Sequence, residues 1–420
     1  MKQETAQKVL IATLLSETGD QTMRSFEELK GLAEAVEAEV VGEIIQRRDT
    51  PDSKTYFGKG KVEEMKSIAE HLEAELLVVD DELSGSHLAN LQEALDLPVL
   101  DRTGLILDIF AQRCRSALSR DQVELAQLEY RKTRLRGVGI YLSRQGGGIG
   151  TRGPGETKLE TDRRALDLRI SELKKNIQEA KSVLDNQRKR RLSQFTPRVA
   201  LAGYTNSGKS SLANYLMRYS DSRGASIEQK DMLFTTLETY VRRIELEEGR
   251  AFYLSDTVGF IDRLPHGLIE AFKATLEEVL YADFILLLAD GSTVDSYDQL
   301  ELTRSVLTEL GAQSIPSLTL LTKSDLGKVV EMPGAISISV KTGEGMDEFL
   351  DVLKRELFKE YSEKDFFFPY GSESAQSSLI SEASLIRQKY TEDGVISRFF
   401  VHRSISDKYL EYSIENGQHI

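Results

Sequence analysis

The stretch that most constrains this chain is GYTNSGKS, residues 203–210, which reads G-x-x-x-x-G-K-S. It lies between an apolar run, VALA, and a helix-like run, SSLANYLM. In that setting the loop amides can surround phosphates, Lys209 can reach the β- and γ-phosphates, and Ser210 can ligate Mg²⁺. Taken alone, the motif also fits a tight turn with an incidental lysine. The predicted phosphate-binding residues are Gly203, Tyr204, Thr205, Asn206, Ser207, Gly208, Lys209, Ser210 and Ser211.

Three downstream motifs, each after a predicted strand, favour a nucleotide site and select guanine. In DTVG, Asp256 is placed to hold Mg²⁺ through water, and the amide of Gly259 could contact a γ-phosphate. In TKSD, Lys323 would lie over the base, and Asp325 can accept two hydrogen bonds that guanine offers and adenine does not. The motif begins at Thr322, and the SVK run that could close over the base comprises Ser339, Val340 and Lys341. This order of motifs predicts a P-loop GTPase built on an open α/β sheet.

The sequence offers candidates for the switch residue and for the catalytic group. The run DMLFTTLET offers Thr235, Thr236 and Thr239 as the threonine that binds Mg²⁺ when γ-phosphate is present, and we prefer Thr236. Ras-like enzymes orient water with a glutamine just after the D-x-x-G glycine, where this chain has Phe260. His266 is a titratable candidate nearby, although a structural or helix-capping role is preferred. We therefore expect slow hydrolysis by the isolated protein and assign no catalytic residue.

Charge is unevenly distributed along the chain. The net charge is -14, yet residues 111–200 hold 21 Lys and Arg against 10 Asp and Glu. This segregation predicts a basic element that acts on a polyanion, or else a solvated helical surface. A single cysteine, Cys114, fits a reducing compartment. The apolar runs VLIATLL and FILLLA are too short to span a bilayer, so we expect a soluble, cytoplasmic protein without stable membrane insertion. We also expect a monomer.

The order of patterns predicts an α/β multidomain protein. Residues 1–112 alternate strand-like and helix-like runs, which indicates an N-terminal parallel α/β domain. We predict a long antiparallel helical hairpin over 113–195, the P-loop GTPase domain over 196–362, and a small α+β C-terminal domain over 363–420 with strands at ISRFFVHRS and YLEYSI. The run GKGK, residues 58–61, could bind an anion at a helix N-terminus, although a plain strand-to-helix turn is preferred.

The hairpin is predicted from a heptad, with a glycine-rich, basic tip over residues 142–157. The heptad positions are Leu159, Leu166, Ile170, Leu173, Ile177, Ala180 and Leu184, and the partner stripe is Val123, Leu125, Leu128 and Leu135. Within the tip, GIGTRG fits G-x-G-x-x-G, but the preceding run is polar and helix-like, which argues against a dinucleotide turn. Such long glycine-rich connections are usually functional or linkers. The predicted RNA contacts are Arg144, Gly146, Gly147, Gly148, Gly150, Arg152, Gly153, Gly155, Arg163 and Arg164.

With these motifs in place, the chain resembles the HflX family of translational GTPases. The resemblance rests on GKGKVEE, LDRTGLILDIFAQR, QVELAQLEY, LSRQGGGIGTRGPGE, LETDRR, GYTNSGKSSL, DTVGFI and LPHGLIEAFKATLEE. It implies that Thr236 is the switch residue and that the partner is the large ribosomal subunit, which stimulates GTP hydrolysis. It also implies action on stalled or idle ribosomes, by splitting, rescue or a stress response. Thr322 departs from the commoner asparagine of the family. The alternatives are a GTP-regulated adaptor that binds a protein through the hairpin, and an NTPase acting on RNA.

Overall fold

A computed structural model describes most of the chain. The described residues are 6–15, 20–145, 154–192, 195–220, 240–246, 250–256, 259, 277–327 and 329–414. They form two compact units, one up to Lys181 and the other from Ser182 onward. Among the helices described, none is long and apolar enough to cross a membrane.

The first unit begins with a four-stranded, fully parallel sheet in the order β2-β1-β3-β4. The strands are β1 (Lys8–Leu15), β2 (Glu39–Arg47), β3 (Leu76–Val79) and β4 (Val99–Asp101). The helices are α1 (Asp20–Glu34), α2 (Lys59–Leu72), α3 (Gly85–Leu95) and α4 (Arg102–Arg113). All four residues of β3 are buried, as expected for a parallel strand covered on both faces. The predicted α/β class is confirmed.

Two long helices follow, α5 (Ala117–Gln145) and α6 (Pro154–Leu192). Four of the predicted apolar positions form a buried cluster between them: Leu125, Leu128, Ile170 and Leu173. Lys132, 13 residues before the end of α5, pairs with Asp167, 13 residues after the start of α6. Pairing at equal distances from the connection means that the helices run antiparallel. The side chains of Leu135, Leu159 and Leu184 lie outside those described.

The second unit contains a six-stranded sheet in the order β10-β9-β8-β5-β7-β6, in which β6 alone is antiparallel to its neighbour. The strands are β5 (Arg198–Gly203), β6 (Tyr240–Glu245), β7 (Ala251–Asp256), β8 (Phe284–Asp290), β9 (Ser317–Thr322) and β10 (Ile336–Ser337). The helices are α7 (Lys209–Tyr219), α8 (Ser296–Leu310) and α9 (Met346–Leu357), with a 3₁₀ turn at Glu277–Tyr281. The carboxyl ends of five parallel strands therefore meet at one edge.

An antiparallel sheet of order β11-β13-β12 completes the second unit. Its elements are β11 (Tyr361–Pro369), α10 (Glu373–Glu382), β12 (Ser384–Tyr390), β13 (Gly394–His402) and α11 (Arg403–Ser406). The strand predicted over YLEYSI is wrong, because Asp407–Tyr412 forms a 3₁₀ helix. The segment kinks at Tyr409, three residues before Tyr412, where φ of -114° and ψ of 24° are not helical. Both pack on the apolar cluster under the sheet, with the Tyr412 ring 5.0 Å from that of Phe368.

Candidate nucleotide-binding site

The loop between β5 and α7 makes a close backbone contact and adopts backbone angles that favour glycine. A Cβ at Gly203 would lie 2.4 Å from the carbonyl oxygen of Leu288, so β5 and β8 can approach only with glycine there. Asn206 and Gly208 have φ of 60° and 87°, in the left-handed region. The helix begins at Lys209. The first amides of a helix have no intrahelical partner and carry the positive end of its dipole, so this end of α7 suits an anion.

The Lys209 side chain folds back over this loop. Its ammonium donates hydrogen bonds to the carbonyl oxygens of Gly203 at 3.0 Å and Tyr204 at 2.6 Å. Burial lowers the pKa of Lys209 to about 8, and the carboxylate of Asp256 opposes this shift. A buried cation with little compensating charge gains from a phosphate beside it. The buried ammonium of Lys209 therefore favours the binding of a polyphosphate in this loop.

Two hard oxygen donors lie beside the start of α7. The Ser210 hydroxyl is 3.3 Å from a carboxylate oxygen of Asp256, the buried last residue of β7. Carboxylate and hydroxyl oxygens match the ligand preference of Mg²⁺. A Cβ at Gly259 would lie 2.9 Å from the Lys209 ammonium and 3.0 Å from the Cα of Thr205, so glycine lets this backbone reach the phosphate loop. The Thr205 hydroxyl is buried and has no hydrogen-bond partner among the described residues.

Thr322, which ends β9, contacts the phosphate loop directly. Its hydroxyl lies 2.9 Å from the carbonyl oxygen of Ser207 and 3.1 Å from that of Ala289, and it donates to one of them at a time. A threonine hydroxyl thus ties the TKSD segment to the loop. Next to it, Lys323 has φ of 59°, and its ammonium is 2.9 Å from a carboxylate oxygen of Asp290. This ion pair holds the lysine stem at the carboxyl edge of the sheet.

The residues predicted to recognise the base form a second cluster at the same edge. The buried Ser339 hydroxyl donates to a carboxylate oxygen of Asp325 at 2.7 Å and accepts from the amide of Thr342 at 3.2 Å. This bond orients a carboxylate that is itself exposed. Val340 is half-buried and Lys341 is exposed. The geometry presents an oriented acceptor to solvent, as recognition of guanine N–H groups requires.

The fold brings the predicted phosphate loop, Asp256, Gly259 and the TKSD and SVK segments to one edge of the sheet. Sequence reasoning missed two acidic residues there. Asp290 pairs with Lys323, and Glu344 accepts from the hydroxyl of Ser324 at 2.8 Å. The signal for Asp290 was available, because a carboxylate closes the otherwise apolar run FILLLAD.

Several predicted residues lie outside the described ones: Thr235, Thr236, Thr239, Phe260, His266, Gly146, Gly147, Gly148, Gly150, Arg152 and Gly153. Arg144 and Gly155 lie in the ends of α5 and α6 that face the tip. Arg163 and Arg164 are exposed on α6, and Arg164 pairs with Glu160 at 2.8 Å.

The GKGK run lies at the start of α2, which begins at Lys59. The amide of Gly58 donates to the Gln46 side chain at 3.0 Å, and Lys61 pairs with Glu64 at 2.8 Å. These contacts are typical of a strand-to-helix turn. The Gly58 amide, which an anion would use, already donates to Gln46.

Three family models match the chain in succession. Residues 23–111 match a GTP-binding GTPase N-terminal region, and residues 113–191 match a GTP-binding GTPase middle region. Residues 198–323 match a family described as 50S ribosome-binding GTPase.

Similar proteins extend over nearly the whole chain. A GTPase HflX from Caldanaerobacter subterraneus subsp. tengcongensis is 42% identical, over 97% of this chain and 93% of its own length. A GTPase HflX from Escherichia coli K12 is 36% identical over 90% of each chain. Among solved structures, the complex of SsGBP with GDP is 23% identical, with a TM-score of 0.49, and covers 84% of this chain and 99% of that one.

Proposed function

Because the chain belongs to the HflX family of GTPases and is a GTP-hydrolysing enzyme, we propose that it uses GTP to act on the large ribosomal subunit. The proposed targets are stalled or idle ribosomes, and the proposed outcome is splitting, rescue or a stress response. The main support is the match of residues 198–323 to a family described as 50S ribosome-binding GTPase.

The nucleotide would bind with its phosphates at the start of α7. Lys209 would exchange its two carbonyl partners for β- and γ-phosphate oxygens, and Thr205 would offer its buried hydroxyl. Ser210 and Asp256 would hold Mg²⁺, which supplies charge neutralisation on the phosphate oxygens when bound. Asp325, oriented by Ser339, would accept from the guanine edge.

The switch would operate through the loops on either side of this site. By the family resemblance, Thr236 would respond to the γ-phosphate, and Gly259, whose backbone lies against the phosphate loop, would contact it as well. Phe260 cannot orient water, so the isolated protein would hydrolyse GTP slowly and the ribosome would complete the site. For His266, a structural or helix-capping role is preferred to a catalytic one.

The helical hairpin would be the element that enters ribosomal RNA. A slim pair of antiparallel helices can reach into a cavity that excludes a globular domain. The tip segment carries Arg144 and Arg152, and Arg163 and Arg164 follow it on α6. The glycines of the tip would allow close approach to a phosphate backbone.

The test is GTP turnover at increasing concentrations of purified large ribosomal subunits. We compare the wild type with a variant whose residues 145–155 are replaced by a short serine linker. Strong stimulation of the wild type that the variant loses supports the proposal. Stimulation of neither protein contradicts it and favours the adaptor.

Salt dependence separates RNA binding from protein binding. Replacing both Arg163 and Arg164 by serine should weaken binding to large subunits and reduce the slope of log affinity against log salt by about 1.5. The matched control replaces Lys175 and Lys181, which lie further from the tip on the same helix. Equal slopes for the two double variants would contradict RNA contact by Arg163 and Arg164.

A further inference from the structure

One buried carboxylate joins the first helix of the hairpin to the N-terminal sheet. Asp101, the last residue of β4, is fully buried. It accepts from the amides of Leu83 at 3.0 Å and Gly104 at 2.8 Å, which lie before α3 and at the start of α4. It also accepts from two side chains of α5, the Tyr130 hydroxyl at 2.6 Å and the Arg134 guanidinium.

The two α5 residues support one another. The Arg134 guanidinium carbon lies 3.3 Å from the centre of the Tyr130 ring, so cation and ring stack face to face. Burial, followed by the charge of Asp101, raises the pKa of the Tyr130 phenol and keeps it a hydrogen-bond donor. We call Asp101, Tyr130 and Arg134 the α5 latch.

Backbone packing at the same turn leaves α5 little room to shift. A Cβ at Gly85, the first residue of α3, would lie 2.2 Å from the carbonyl oxygen of Arg134. The helices therefore touch backbone to backbone beside the latch. Such a contact fixes the position of the axis at one point, and the side-chain bonds one turn apart fix its direction.

The direction of α5 matters because the helix continues beyond the latch. From Arg134 to Gln145 it extends about 16 Å at 1.5 Å per residue. Over that length, a change of about 10° in direction moves the end of the helix by about 3 Å. A displacement of that size is enough to break a hydrogen bond between a side chain and a phosphate.

We propose that the α5 latch is a positioning device that aims the hairpin tip for engagement of ribosomal RNA. The inference rests on the function proposed above. Asp101 acts through Tyr130 and Arg134 and touches neither nucleotide nor RNA. Loosening the latch spreads the tip over several positions, so fewer encounters with the large subunit are productive.

The first test measures the direction of the hairpin without any ribosome. Spin labels are placed at exposed Glu93 on α3 and exposed Glu160 on α6, in a Cys114→Ser background, and the distance distribution is recorded. Tyr130→Phe keeps the ring and the stacked guanidinium and removes one bond to Asp101, and we expect a broader distribution. Arg134→Lys keeps the charge and loses the flat stack, with the same expectation. Distributions as narrow as in the wild type would overturn the latch.

The second test measures function with the same full-length proteins. Tyr130→Phe should raise the concentration of large subunits that gives half-maximal stimulation about fivefold, while GTP turnover without subunits stays unchanged. The matched control is Glu129→Gln, next to Tyr130 in the sequence, which removes the ion pair of half-buried Glu129 with exposed Lys174. A broadened distribution with a wild-type half-saturation would overturn the aiming role. If even the wild type gains no turnover from large subunits, the proposed function fails and this aiming role fails with it, whereas the distance measurement still decides whether the latch exists.

Discussion

Raising the pH across the pKa of Lys209 should weaken nucleotide binding. The ammonium is buried, and the pKa of Lys209 is lowered to about 8 chiefly by that burial. A phosphate anion against the ammonium favours its charged form, so the bound protein holds the proton more tightly than the free protein. Above pH 8, nucleotide binding therefore requires protonation of Lys209, and the affinity for nucleotide falls as the pH rises.

The magnitude follows from the titration of the free protein. With a pKa of about 8, roughly nine-tenths of Lys209 is charged at pH 7 and roughly one-tenth at pH 9. The apparent Kd for GDP should rise about tenfold between these two values. The folding stability of the nucleotide-free protein changes with pH in the opposite direction to nucleotide affinity. Lys209 has a pKa of 10.5 in the unfolded chain and therefore binds more protons there than in the folded protein. The free energy of unfolding thus increases as the pH rises from about 8 to 10.5. At pH 7 the buried charge costs about 3 kcal/mol.

The assay is fluorescence titration of a labelled GDP at pH values from 6.5 to 9. Guanine itself changes protonation in alkaline solution, so the control is Lys209→Arg, whose side chain stays charged throughout. Both proteins are titrated with the same labelled GDP, so an inflection that comes from guanine appears in both profiles. A flat wild-type profile, or the same inflection near pH 8 in the variant, would refute the argument.

Three further predictions follow from contacts in the described residues. Ser339→Ala removes the hydroxyl that orients Asp325, a loss of about 1 kcal/mol, and should raise the Kd of GDP and GTP alike about fivefold by calorimetry; unequal losses would contradict a role in base binding. Gly259→Ala places a Cβ 3.0 Å from the backbone Cα of Thr205 and 2.9 Å from the Lys209 ammonium, and overpacking of about 2 kcal/mol should weaken GTP binding about thirtyfold. Gly60→Ala, where a Cβ meets nothing within 4 Å, is its control and should leave GTP binding unchanged. Leu173→Ala opens the hairpin core and should cost about 3 kcal/mol of unfolding free energy in denaturant titration, with GDP affinity unchanged.

Much of the fold could be predicted because its signals are local. The run KVLIATLL forms β1 over the predicted residues, and the heptad positions Ile170 and Leu173 form the hairpin core. Motifs that follow buried strands also meet at one edge, as parallel topology requires. Contacts between distant residues gave no such signal. Asp101 contacts Tyr130 and Arg134, which lie 29 and 33 residues further along the chain. Helix and strand periodicity relate only residues within one element, so the sequence pattern does not predict these contacts.

In the TKSD motif, Thr322 and Asp325 have separate roles. A threonine has one hydrogen-bonding oxygen where asparagine has an amide, so it cannot contact two groups with separate atoms. In this fold the single hydroxyl lies between the carbonyl oxygens of Ser207 and Ala289, which are both within its reach. Tethering of the phosphate loop therefore survives the change. In the proposed complex, base choice would depend on Asp325, which Ser339 orients from another strand end. The change at Thr322 would then leave the contact with guanine intact.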